Sequence, residues 1–168
     1  NFYGPRKNLL QFLVMLREPI SRLQSAFHHY YWKKFGSKNF SKYLSAHLGG
    51  EVNDRGLAGS FYAPQFRRWF QHFDSAQFMV LPVKFYSKPV GKMTPVQRVL
   101  ARLNITGVHL EPPHINAHSH TSLERDIGKG AVAKLGEYLD AKGGSAGEIA
   151  KVLAGSRAEL YGYSGSPH

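Results

Sequence analysis

The first strong pattern in the sequence is an almost continuous apolar run over residues 9–16, which ends abruptly at a polar pair and a proline. Its length and sharp end favour a buried β-strand over a helix. Pro19 stands where a helix can begin, because its missing N–H is one that the first turn leaves unpaired in any case. Beyond it, apolar side chains recur at helical spacing up to Gly36: Ile20, Leu23, Phe27, Tyr30 and Tyr31. The segment 9–35 therefore predicts a strand, a tight turn and a helix.

The rest of the chain alternates helical and strand-like patterns. A second buried strand is predicted over 76–83, and further helices over 40–48, 64–73, 94–103, 131–141 and 146–153. This alternation predicts an α/β fold in one domain over 1–168, with parallel strands flanked by helices and a helical C-terminal region. Two strands make a poor sheet by themselves. We therefore interpret the domain as incomplete, with further strands supplied from upstream of Asn1 or by another chain, and we predict a flexible tail over 161–168.

The composition excludes some kinds of site and favours anionic partners, but it does not identify a particular partner. The 168 residues carry a formal net charge of +11 and no cysteine. The missing thiols exclude disulfides, thiolate metal sites and a cysteine nucleophile, and they lean away from the secretory lumen. No transmembrane run or signal segment is found, so the compartment stays undetermined. The charge favours anionic partners, but the basic residues are dispersed, which disfavours nucleic acid.

An anion site is predicted where the first strand meets the first helix. Arg17 follows the strand at its carboxyl end, the edge at which open α/β sheets bind ligands. The helix offers free N–H groups and the positive end of its dipole, and the Ser25 hydroxyl lies about two turns along it. Because a guanidinium fork suits phosphate oxygens, the predicted ligand is a phosphate monoester. In the structural alternative, Arg17 pairs with Glu18 or with a neighbouring helix.

This segment resembles the 3′-phosphate-binding motif of sulfotransferases that use 3′-phosphoadenosine 5′-phosphosulfate (PAPS). That motif has a strand ending in Arg, then Asp/Glu-Pro, a second Arg, and a Ser eight residues after the first Arg. The matching residues here are Arg17, Glu18, Pro19, Arg22 and Ser25. The stretch 59–70 and the sequences RVLARLNITG and AELYGYSG resemble further elements of the family. The resemblance covers residues 9–163 in order and is closest to the carbohydrate (heparan-sulfate-type) branch.

The resemblance implies a partial P-loop-like sulfotransferase domain in which Arg17 and Ser25 hold the 3′-phosphate of PAPS. It also implies that Tyr62 lies near the nucleotide or acceptor cleft. The implied activity is transfer of sulfate from PAPS to a hydroxyl or amine of a carbohydrate or other small acceptor. The family's 5′-phosphosulfate loop and catalytic base have no counterpart, and no Gly-x-x-x-x-Gly-Lys segment occurs, so the catalytic residues stay unassigned.

A second hypothesis follows from what the sequence lacks. A basic, aromatic-rich chain without a phosphosulfate loop fits a catalytically inactive, sulfotransferase-like accessory subunit with a structural role in a larger protein complex. Its partners are then protein subunits rather than a nucleotide and an acceptor.

A histidine-rich stretch is also a candidate for a metal site. His114, His118 and His120 have a spacing that a metal can use. No nearby Asp or Cys and no helical register fixes them, so no metal site is predicted. We interpret them as polar loop residues near the predicted cleft.

Overall fold

The computed structural model describes residues 3–35, 39–50, 55–83, 93–108 and 123–160. Within these residues the chain has the predicted mixed α/β architecture. The strands are β1 (Phe12–Leu16), β2 (Phe78–Pro82) and β3 (Glu159–Leu160). The α-helices are α1 (Pro19–Ala26), α2 (Trp32–Phe35), α3 (Phe40–Leu48), α4 (Arg55–Ala58), α5 (Tyr62–Phe70), α6 (Pro95–Arg102), α7 (Leu123–Ala141) and α8 (Ala146–Ala154). Two 3₁₀ turns and a π-helical turn complete the described elements: Gly4–Leu9, Ser75–Gln77 and Phe27–Tyr31.

The strands form one parallel sheet in the order β1-β2-β3. β1 and β2 pair from Phe12 opposite Phe78 to Leu16 opposite Pro82. Their parallel direction confirms the prediction, and it brings the carboxyl ends of both strands to the same edge of the sheet. The pairing of β3 with β2 was not predicted, because a strand of two residues is too short to produce an alternating pattern.

β1 is shorter and less buried than the apolar run predicts. It begins at Phe12, because Gly4–Leu9 forms a 3₁₀ turn with Pro5 near its start. The side chains of Leu13 and Met15 are 48% and 51% exposed. The prediction of a fully buried strand is therefore wrong for one face of β1, although it is confirmed for β2, which is buried at all its positions.

The predicted helices are present with altered bounds. The predicted helix over 19–35 is interrupted by the π-helical turn at Phe27–Tyr31, and α7 begins earlier than the pattern at 131 suggests. α6 starts as predicted, with the Thr94 hydroxyl and the Gln97 side chain forming a reciprocal capping box. No helix in the described ranges combines the length and apolar character needed to cross a membrane.

The chain divides into two compact units. Unit 1 comprises residues 1–17, 68–117 and 153–168, and it contains the sheet. Unit 2 comprises residues 18–67 and 118–152, and its described part is helical. The organisation of residues 1–168 as a single domain stays a prediction.

Unit 1 packs side chains against both faces of its sheet. On one face the rings of Phe12 and Phe78 stack with their centroids 4.7 Å apart. On the other face Met79 and Leu81 pack against Val99 of α6. Arg102, at the end of α6, donates to the carbonyl of Ala76 and to the Gln11 side chain, and it forms an ion pair with Glu159. Arg102 thereby connects α6 to the residues just before β1 and β2 and to β3 itself.

Unit 2 has a separate apolar core built from its helices. Asn39 precedes α3, and its side chain accepts a hydrogen bond from the Lys42 N–H and so caps the helix. The buried core residues come from α1, the π-helical turn, α3, α4 and α7: Leu23, Phe27, Phe40, Tyr43, Leu44, Leu57, Leu135 and Leu139. This core supports α1, which carries part of the predicted site.

Candidate functional site

The strand and the helix predicted on either side of the anion site are both present, and Arg17 and Glu18 lie between them in the sequence. β1 ends at Leu16 and α1 begins at Pro19. The Arg17 side chain is exposed, and among the residues that the structure describes it has no hydrogen-bond or ion-pair partner. The structural alternative, in which an ion pair occupies this arginine, does not hold within that part of the chain. Arg17 therefore presents, as far as the described residues show, a guanidinium without a partner at the carboxyl edge of the sheet.

The Glu18 carboxylate occupies the helix N-terminus that sequence reasoning left open for the anion. It accepts hydrogen bonds from the N–H groups of Ile20 at 3.0 Å and Ser21 at 2.7 Å. Pro19 has no N–H, and the Arg22 N–H donates to the Glu18 carbonyl at 2.8 Å. The expectation of free N–H groups at the start of α1 is therefore wrong. Any anion recognised here must be held by side chains.

Ser25 and Tyr62 lie on two different helices of unit 2. Ser25 is in the last turn of α1, half-buried, and its hydroxyl makes no hydrogen bond within the described ranges. Tyr62 is the first residue of α5, also half-buried, and its backbone N–H donates to the Ser60 carbonyl at 3.0 Å. Arg17 belongs to unit 1. A shared role for the three residues stays a prediction.

Arg22 has contacts that sequence reasoning did not anticipate. Its Nη1 donates to the Gly56 carbonyl at 2.9 Å and to the Ser60 Oγ at 3.2 Å. Ser60 is fully buried and donates in turn to the Pro19 carbonyl at 3.2 Å. Two features of the sequence could have pointed to these contacts: Arg22 is the second arginine of the motif, and Gly59-Ser60 begins the stretch 59–70 that also resembles the family. Neither feature identifies a partner that lies more than thirty positions away.

Among the described residues, two groups on α8 of unit 2 have shifted pKa values, Glu148 and Lys151. The pKa of Glu148 is lowered because Lys151 Nζ donates to its carboxylate at 2.7 Å, and Arg67 contributes at 3.4 Å. The same hydrogen bond raises the pKa of Lys151. Because the folded-state pKa of Glu148 is lowered, its stabilising effect exists above the ordinary carboxyl pKa and is lost as the pH falls through the lowered value. This is an exposed pair that adds little to stability.

Some residues singled out in the sequence lie outside the described residues. These are His114, His118 and His120, the tail over 161–168, and the end of the AELYGYSG stretch. Within the described ranges, no cluster of side chains suited to holding a metal ion is found.

Comparison with known proteins adds no family assignment. No protein-family model matches the chain, and no curated protein matches it significantly.

Replacing Glu18 with alanine should lower the free energy of unfolding by about 1 kcal/mol, because two N–H groups of α1 lose their capping carboxylate. Urea denaturation followed by circular dichroism measures this loss. Glu137→Ala is the matched control, since Glu137 is an exposed carboxylate within α7. Equal changes in the two variants would mean that the cap contributes nothing beyond a lost surface charge.

Proposed function

We propose that this chain is a PAPS-binding, sulfotransferase-like domain of P-loop-like fold, in which Arg17 and Ser25 hold the 3′-phosphate of the nucleotide. One observation carries the proposal. Arg17 is exposed, has no hydrogen-bond or ion-pair partner among the described residues, and follows the carboxyl end of a parallel strand inside the residue order that resembles the family motif. Tyr62 is proposed to contribute near the nucleotide or acceptor.

The chemistry of the described side chains suits a phosphate monoester. The Arg17 guanidinium presents a planar fork that pairs with two phosphate oxygens, and the Ser25 hydroxyl can donate to a third. Because Glu18 already satisfies the N–H groups of α1, these side chains carry the recognition. PAPS would supply the sulfuryl group for transfer to a hydroxyl or amine of a carbohydrate or other small acceptor.

The proposal assigns residues of this chain to nucleotide binding but assigns none to catalysis. Sulfuryl transfer also needs a group that deprotonates the acceptor and donors that neutralise charge on the transferring group. The sequence contains no Gly-x-x-x-x-Gly-Lys loop for the second task. The first test therefore addresses binding rather than turnover.

A second candidate function is the catalytically inactive accessory subunit of a larger protein complex. The half-exposed Leu13 and Met15 on one face of β1 favour it, because parallel sheets are ordinarily covered on both faces. Under this candidate the chain binds a protein partner and has no affinity for the nucleotide.

Arg17→Ala is expected to weaken binding of 3′-phosphoadenosine 5′-phosphate (PAP) at least tenfold, about the effect of one lost charge-assisted hydrogen-bonded contact. Isothermal titration calorimetry of the whole chain at low and moderate salt measures this, since moderate salt suppresses non-specific attraction to a protein of net charge +11.

Arg6→Ala is the matched control for this experiment, because it removes the same charge from an exposed arginine that precedes β1 in the same unit. Equal affinity of Arg17→Ala and Arg6→Ala for PAP would refute the assignment of Arg17. A chain that binds no PAP and associates stably with a protein partner would favour the accessory subunit.

A further inference from the structure

Arg22 is held by a closed set of hydrogen bonds that joins α1 to the segment before α5. We call Pro19, Arg22, Gly56 and Ser60 the Arg22 clasp. The guanidinium donates to two neutral oxygens, the Gly56 carbonyl and the Ser60 hydroxyl, and the same hydroxyl donates to the Pro19 carbonyl. In the described part of the chain, the guanidinium has no carboxylate partner. The clasp is therefore a hydrogen-bonded support and not an ion pair.

Gly59 shows how closely this guanidinium packs. A Cβ at position 59 would lie 2.4 Å from Nη2 and 2.9 Å from Cζ of Arg22. These distances are far shorter than carbon contacts at optimal separation, so a methyl group and the guanidinium cannot keep their places together. A Cβ at Gly136 on α7 would instead meet nothing within 4 Å. A side chain at position 59 would therefore displace the Arg22 guanidinium from its present place.

The clasp connects the two helices that carry predicted site residues of unit 2. Ser25 follows Arg22 on α1 by three positions, less than one turn of the helix. On the other side of the clasp, the Ser60 carbonyl accepts the N–H of Tyr62, the first residue of α5. The clasp therefore links the helix that carries Ser25 to the segment that leads into Tyr62.

We propose that Arg22 is a positioning residue for the nucleotide site, an inference that rests on the proposed function. It holds Ser25 and Tyr62 in their binding positions through the clasp and does not itself contact the phosphate. Its Nη1 is committed to two acceptors, and its Nη2 lies against Gly59. The second arginine of the motif thus has a task different from that of the first.

Two substitutions test this role from opposite sides of the contact. Arg22→Met keeps an unbranched stem without the hydrogen bonds, and Gly59→Ala keeps the guanidinium but displaces it. Each is expected to weaken PAP binding by about tenfold, with the salt dependence of binding unchanged because no phosphate contact is lost. Calorimetry at two salt concentrations measures this, after circular dichroism has verified that each variant is folded. Gly136→Ala, the control, should bind as the unchanged chain does.

The double variant separates positioning from direct binding. In the absence of the guanidinium, the methyl group introduced by Gly59→Ala has room, so adding this substitution to Arg22→Met should cause no further loss of affinity. A direct phosphate contact predicts instead that Arg22→Met weakens both the affinity for PAP and the salt dependence of binding, and that result would overturn the proposal.

The outcomes also distinguish this inference from the proposed function. If the unchanged chain binds PAP and both folded single variants bind it equally well, the positioning role is wrong and the proposed function stands. If the unchanged chain does not bind PAP, both proposals fail.

Discussion

Phe27→Ala is expected to lower the free energy of unfolding by about 4 kcal/mol, the largest effect on unit 2 that a single truncation should produce. Phe27 is fully buried. Its ring centroid lies 4.8 Å from that of Tyr43 and 5.5 Å from that of Phe40, so it joins the π-helical turn to α3. Truncation removes this ring from the middle of the core and leaves a cavity that the surrounding helices fill only in part. Urea denaturation followed by far-ultraviolet circular dichroism measures the loss.

Tyr30→Ala is the control for this experiment because Tyr30 belongs to the same π-helical turn but is 70% exposed. Its truncation should change the free energy of unfolding by no more than about 0.5 kcal/mol, as is usual at surface positions. If the two variants lost similar stability, the effect would come from the conformation of the turn rather than from the buried ring.

The sequence predicts the local elements well where short-range signals coincide. Pro19 marks the start of α1 and the Thr94-Pro95 pair marks the start of α6, because each places a residue with a local conformational preference at a helix end. The position of Arg17 just after β1 follows from the same reasoning. Local signals therefore locate the candidate site along the chain.

Glu18 shows why the chemistry of the site is harder to predict than its location. Sequence reasoning left the first N–H groups of α1 open, since serine, threonine, aspartate and asparagine are the residues that usually cap helices. In the structure the longer glutamate side chain reaches back to Ile20 and Ser21. Under the proposed function, anion recognition therefore depends on side chains rather than on these backbone N–H groups, and it should be sensitive to single substitutions.

Side-chain hydrogen bonds between distant segments were beyond sequence reasoning. The Arg22 side chain meets Gly56 and Ser60, residues 34 and 38 positions away, and no spacing rule connects them. The exposure of one face of β1 was missed for the same reason, because it depends on packing between segments that are distant in the sequence. The apolar letters of the run do not distinguish Leu13, which is half-exposed, from Met79 beside it on β2, which is buried. Burial depends on which helix covers each strand.

Phe78→Ala should also lower the free energy of unfolding by about 4 kcal/mol, here through unit 1. Phe78 is 1% exposed at the start of β2. Its ring stacks on Phe12 with 4.7 Å between the centroids, and it meets Trp69 and Phe70 edge to face at 5.8 and 5.1 Å. Truncation removes the ring that these three aromatic side chains contact, so these ring contacts are lost together with the buried area. Urea denaturation monitored by tryptophan fluorescence reports the change, because Trp69 contacts the substituted ring.

Leu13→Ala provides the comparison within the same sheet. Leu13 pairs with Met79, next to Phe78 in the register, but its side chain is 48% exposed. A half-exposed leucine leaves no closed cavity when it is truncated, so the loss should be about 1 kcal/mol or less. A Leu13→Ala loss as large as that of Phe78→Ala would mean that this face of β1 is covered in solution, the arrangement that the accessory-subunit candidate requires. A small loss, with Phe78→Ala strongly destabilising, would mean that the aromatic face of the sheet contributes most of the stability of unit 1 and that the side of β1 carrying Leu13 is not covered in solution.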